Sequence, residues 1–129
     1  MTSWMIGHHI CKTAVAGASV TDLNEEYNLS DRNVSGRYYF KGSPWTGNRQ
    51  DCIAQSPIAY ASQMRTPTLI LSDTGDARIL VTQCDQLFHT LKDNGVIVKF
   101  IAYPVPGHFP GDPVRSRDVY RRWLAWMDQ

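Results

Sequence analysis

The segment from Arg65 to His108 constrains the fold more than any other part of this chain. Thr66 to Ser72 opens with Pro67 and runs into Leu69-Ile70-Leu71, an apolar stretch of strand length that ends in the turn-forming residues Asp73-Thr74-Gly75-Asp76. Leu80, Cys84, Leu87, Phe88 and Leu91 then recur at the spacing of one helix face, and Asn94-Gly95 supplies a stop. Val96 to Tyr103 reads as the next strand, which Pro104 and Pro106 should keep from continuing. Strand, helix, strand in that order require parallel pairing through a right-handed crossover. Asp76 and His108 then fall just past the carboxyl ends of the two strands, where an open α/β sheet places its working side chains.

The rest of the chain extends this pattern. Met1 to His8 is predicted to be a short helix closed by Gly7. Lys12 to Val20 is small and β-branched, and predicts a first strand near Thr13–Ser19 that is buried on both faces. Thr21 to Asp51 is polar and aromatic with Gly36, Gly42, Pro44 and Gly47 as breakers, and reads as an irregular excursion. Cys52 to Ala61 is a short helix or turn. Tyr120, Trp123, Leu124 and Met127 mark the expected apolar face of a closing helix. The predicted fold is α/β: three parallel strands with flanking helices in one domain of 129 residues.

Composition excludes several classes. An apolar fraction of 43% with four Trp and six Tyr rules out a disordered chain. A net charge of +1 gives no electrostatic case for nucleic acid or an anionic membrane surface, and no run approaches the ~20 apolar residues of a membrane span. The basic residues Arg115, Arg117, Arg121 and Arg122 are expected on a solvated helix face. Cys11, Cys52 and Cys84 are odd in number and lack CxxC spacing, so neither a zinc site nor a disulfide framework is implied. His8 and His9 are adjacent and do not share a helix face, while His89 belongs on the solvated side of its helix. No metal and no cofactor are expected. Asn28-Leu29-Ser30 and Asn33-Val34-Ser35 match the glycosylation sequon, which matters only if the parent protein is secreted.

An Asp followed by a His is the order of the last two members of an α/β-hydrolase triad, which runs Ser, Asp, His. In that chemistry Asp76 would accept from the imidazole Nδ1–H and fix its tautomer, and His108 would take the serine proton and return it to the leaving group. Simpler roles exist for both: Thr74-Gly75-Asp76 is ordinary turn chemistry, and His108 could be a loop histidine beside two prolines. Asp73 is the rival carboxylate. Arg78 could contact a substrate carbonyl, pair with Asp76 or Asp73, or serve a structural salt bridge. Trp45 and Tyr60 could line a substrate pocket or pack in the core. The serine is the missing member, for no Gly-x-Ser-x-Gly occurs in the chain. Gly17-Ala18-Ser19-Val20-Thr21 reproduces half of that elbow without its closing Gly, and Ser3 lacks a preceding strand.

Thr66-Pro67-Thr68-Leu69-Ile70-Leu71, Gly75-Asp76-Ala77-Arg78, Gln83, Leu91-Lys92, Gly95, Tyr103-Pro104 and Gly107-His108 together resemble the carboxyl-terminal half of the prolyl oligopeptidase family of serine peptidases. Within it, Gly42-Ser43-Pro44-Trp45 and Ser56-Pro57-Ile58-Ala59-Tyr60-Ala61 also resemble the branch of acylaminoacyl-peptidases and dipeptidyl-peptidases. The family usually has His-Gly where this chain has Ser72-Asp73, and Val-Pro where it has Ile79-Leu80. The resemblance implies part of an α/β-hydrolase catalytic domain over residues 1–129, cut just after the nucleophile elbow, with Asp76 and His108 as its catalytic residues. It also implies a peptide substrate. A chain so cut needs the missing amino-terminal half of the domain as a partner, or self-associates through an exposed strand edge, and by itself is expected to be inactive. Two other readings stay open: a fragment of another α/β-hydrolase such as an esterase, and a non-catalytic α/β binding module.

Overall fold

The computed structural model describes residues 1–108 and 110–128. Three strands, β1 (Ala14–Gly17), β2 (Thr68–Gly75) and β3 (Val98–Pro106), form one parallel sheet in the order β1-β2-β3. Register runs from Ala14 opposite Thr68 to Gly17 opposite Leu71, and from Thr68 opposite Val98 to Asp73 opposite Tyr103. The helices are α1 (Thr2–Gly7), α2 (Leu23–Leu29), α3 (Asn33–Tyr39), α4 (Arg49–Gln55), α5 (Val81–Asp93) and α6 (Pro113–Met127).

Strand residues alternate between the two faces, so one sheet feeds two separate cores. Ala14 and Ala16 of β1 and Ile70 of β2 join Ile6 of α1, Met64, and Cys84, Leu87 and Leu91 of α5. Every member of that cluster is at most 5% exposed. At ~1.5–3 kcal/mol for each large aliphatic side chain removed from water, this is the larger apolar contribution to the fold. Leu69 and Leu71 point the other way and meet Trp126 of α6, with Val15, Ile101 and Tyr103 partly covered beside them.

Three expectations need correction. The stretch from Thr21 to Asp51 is mostly helical, not irregular, because α2, α3 and the start of α4 lie in it. Asp22 caps α2 by accepting the Asn24 and Glu25 amides through Oδ1 at 2.7 and 3.2 Å. The entry to α2 is fixed from α5, where Gln83 Oε1 accepts the Thr21 and Asp22 amides and Gln83 Nε2 donates to the Asp22 carbonyl. Second, β3 continues through both prolines to Pro106. It is an edge strand, with β2 on one side only, so a residue without an N–H can sit where no ladder bond is required.

The third correction concerns α6. Asp112 caps it, its Oδ1 accepting the Arg115 amide at 2.8 Å, and Pro113 occupies the first turn. The buried side chains are Val119 and Trp126, two turns apart, whereas Tyr120, Leu124 and Met127 are more than half exposed and Trp123 is partly so. The basic residues also divide. Arg121 is solvated, but the Arg115 side chain is only 11% exposed and lies 3.3 Å from Asp73.

Candidate active site

Asp76 and His108 come together above the carboxyl ends of β2 and β3. His108 Nδ1 lies 2.8 Å from Asp76 Oδ2, with the carboxylate side chain fully sheltered and the imidazole partly open. The other carboxylate oxygen, Oδ1, accepts the amides of Arg78 and Ile79 at 2.8 and 3.1 Å. Asp76 therefore closes its own turn with one oxygen and addresses the imidazole with the other. With Nδ1 committed to the carboxylate, any proton that His108 exchanges passes through Nε2.

Local sequence explains why the loops can approach. The β2–β3 ladder is irregular between Asp73 and Gly75, and Gly75 pairs with Pro106. A Cβ at Gly75 would stand 2.9 Å from Pro106 Cα and 3.1 Å from the Val105 carbonyl oxygen, closer than backbone tolerates. Glycine therefore lets the end of β2 lie against the end of β3, and the residues that follow each strand meet. Gly107 adopts φ +106°, a left-handed conformation that turns the chain immediately before His108.

The remaining candidates are placed as follows. Asp73 is buried and lies against Arg115, with no direct hydrogen bond to His108. Burial pushes its carboxyl up, partly opposed by the Arg115 guanidinium. Arg78 turns away from both Asp73 and Asp76 to pair with Asp31, Nε to Oδ1 at 2.6 Å and Nη2 to Oδ2 at 3.0 Å. Trp45 belongs to neither core nor site: it is 61% exposed, donates from Nε1 to Asn28 Oδ1 and lies under the Arg49 guanidinium. Tyr60 packs against Trp4 and His8 on the far side of the sheet and donates to the Ala54 carbonyl.

Of the chain's serines, Ser19 and Ser3 are both buried and their hydroxyls bond each other. The Ser19 amide donates to Cys84 Sγ, a thiol that burial pushes up and so keeps neutral. Ser72 is also buried. None of the three is hydrogen-bonded to His108.

A groove of about 620 Å³ opens beside the pair. Val15, Gly17, Leu71, Ser72 and Asp73 from the sheet line it, together with Trp123 and its neighbours on α6 and with His108. The sequence reading did not single out Asp31, which lies 47 residues before its partner Arg78. No periodicity or motif links them.

Comparison with known proteins matches residues 1–129 to the prolyl oligopeptidase family. Dipeptidyl-peptidase 5 of Porphyromonas endodontalis is 26% identical over 131 residues, an alignment that covers 98% of this chain and 19% of that protein. Acylamino-acid-releasing enzyme 1 of Oryza sativa subsp. japonica is 41% identical over 107 residues, covering 83% of this chain and 14% of the other. Among solved structures, an acylaminoacyl peptidase of Pyrococcus horikoshii superposes with a TM-score of 0.84 at 20% identity, over 98% of this chain and 21% of that one. That likeness identifies the fold as the α/β-hydrolase arrangement. This chain thus spans between about a tenth and a fifth of the length of the curated relatives it matches. With the family pattern matched from end to end, the chain belongs to the prolyl oligopeptidase family of peptidases.

Proposed function

We propose that this chain supplies the acid and base of a serine peptidase site, with Asp76 and His108 completing a triad whose serine stands on a nucleophile elbow outside residues 1–129. The observation that carries the reading is the 2.8 Å contact of Asp76 Oδ2 with His108 Nδ1, on the loops that follow adjacent parallel strands. In the proposed reaction the serine hydroxyl attacks the peptide carbonyl while His108 Nε2 takes its proton. The tetrahedral oxyanion collapses, the C–N bond breaks, and Nε2 returns the proton to the leaving amine. Water then enters by the same route and releases the acyl group. Asp76 keeps the proton of the neutral ring on Nδ1 and stabilises the imidazolium as it forms.

The same reading makes the groove beside His108 the place where the rest of the catalytic domain docks. It reaches from Val15 and Gly17 of β1 to Tyr103 of β3 and is mainly apolar, and Ser72, the serine among its lining residues, is buried.

The test joins the 129 residues to a preceding segment that carries Gly-x-Ser-x-Gly, in one chain or in trans, and assays peptide and ester substrates. Peptide turnover should appear on joining, disappear with His108→Ala, and fall by about 10⁴ with Asp76→Asn, which mis-sets the tautomer. The 129-residue chain alone should neither turn over substrate nor react with a fluorophosphonate. Labelling of Ser19, or of any serine within the chain, would overturn the assignment of the nucleophile. Turnover of esters without peptides would replace the peptidase by an esterase.

A further inference from the structure

The Asp76 loop is gripped from outside by a residue of the excursion, and we propose that Asp31 and Arg78 form a clamp that positions Asp76 for His108. This inference rests on the proposed role of Asp76 as the carboxylate that orients the imidazole. Three bonds make the clamp. Arg78 Nε and Nη2 donate to the two oxygens of Asp31 at 2.6 and 3.0 Å, and the Asp31 amide donates to the Ala77 carbonyl at 2.9 Å. They attach Ala77 and Arg78 to one residue, immediately after Asp76.

The two amides that hold Asp76 Oδ1 adjoin those attachments: that of Arg78 lies between them, and that of Ile79 follows directly after the Arg78 α-carbon. Fixing Ala77 and Arg78 therefore fixes the donors that orient the carboxylate, and Oδ2 is left directed at His108 Nδ1. Asp31 is itself well anchored. It follows the buried Ser30, whose hydroxyl accepts the Arg32 amide at 2.9 Å and whose own amide closes α2 on the Glu26 carbonyl. The helix behind it is pinned by its Asp22 cap and by Gln83.

A structural salt bridge alone would not account for this arrangement. The Arg78 and Asp31 side chains are 41% and 45% exposed, and a pair so open to water contributes little to global stability. What a two-pronged guanidinium–carboxylate contact does supply is geometry, because the planar fork fixes direction as well as distance. A triad carboxylate needs that, since small displacements from the reactive arrangement are costly.

The experiment is amide hydrogen exchange on the 129-residue chain by NMR, with Asp31→Ala and Arg78→Gln. The amides of residues 78 and 79 should exchange about tenfold faster in both variants, as expected for loss of a charge-assisted hydrogen bond that restrains them. The His108 Nδ1 proton signal should broaden in parallel, while the amides of Leu69 to Leu71 keep their protection. Arg78→Lys keeps the charge without the fork and should exchange at an intermediate rate. The reversed pair Asp31→Arg with Arg78→Asp should restore protection. Rates for residues 78 and 79 within about twofold of the original chain would overturn the clamp, as would equal acceleration throughout β2 and α2, which is the mark of general destabilisation. None of these readouts needs turnover. Failure of the peptidase reading would show instead as an inactive joined domain.

Discussion

The two faces of the sheet are finished to different degrees. On the face covered by α1 and α5, Ile6, Met64, Ile70, Leu87 and Leu91 are fully enclosed, and even the polar Gln83 is buried with its oxygen and nitrogen both bonded. On the α6 face Leu69, Leu71, Val119 and Trp126 are buried, while Leu124 and Met127 of the same helix are more than half exposed and Trp123 partly so. Parallel sheets are ordinarily covered on both faces. The contrast teaches that α5 is packed out by the residues present here, whereas α6 leaves much of its apolar surface exposed. The Asp76–His108 pair sits at the end of that less finished face, next to the groove.

The sharpest way to break the comparison is to cut the same amount from each face. Leu87→Ala, in the enclosed cluster, should cost about 2–5 kcal/mol, read from a urea unfolding curve. A loss below ~1 kcal/mol would mean that the α5 face is no better packed than the other. Gly75→Ala should follow, at about 1–3 kcal/mol, because the added Cβ meets the Pro106 backbone and forces the loops apart. Its specific signature is loss of the His108 Nδ1 proton signal while the α5 core remains intact.

On the open face the expected sign differs. Trp123→Ser should change stability by no more than about 0.5 kcal/mol yet weaken any concentration-dependent self-association, read by sedimentation. If it unfolds the chain, α6 is packed more completely than its exposure indicates. The smallest effect is acidic. Hydrogen bonds from Arg122, Arg121 and Tyr103 hold the Asp118 carboxyl well below its ordinary value, and the bond from Arg78 does the same for Asp31. A depressed folded value contributes stability that is complete above the unfolded value near 3.8 and is lost as pH falls below it. Urea midpoints should therefore drop as pH falls below about 4, and Asp118→Asn should shrink the drop. Burial raises Asp73 and Glu26, so they act in the opposite sense and limit its size.

Much of this molecule could be read before it folded. The apolar run before Ser72, the helical spacing from Cys84 to Leu91 and the stop at Asn94-Gly95 are local signals, and local signals dictate β2, α5 and the start of β3. Asp76 and His108 were legible for the same reason: a residue just past a strand end must lie at the sheet's carboxyl edge. The helices of Thr21 to Asp51 were not, because four breakers mask short segments, and the first of them, α2, is held by a cap and by contacts from Gln83 rather than by periodicity. Nor was the buried face of α6, where Tyr120, Trp123, Leu124 and Met127 compete with Val119 and Trp126 and only the sheet decides that the last two are covered. The union of Arg78 with Asp31 and the seating of Arg115 against Asp73 lie further still from the sequence. Spacing along a chain encodes what one helix or strand does. Which charges meet across 47 residues depends on where two loops end in space, and the tertiary structure alone sets that.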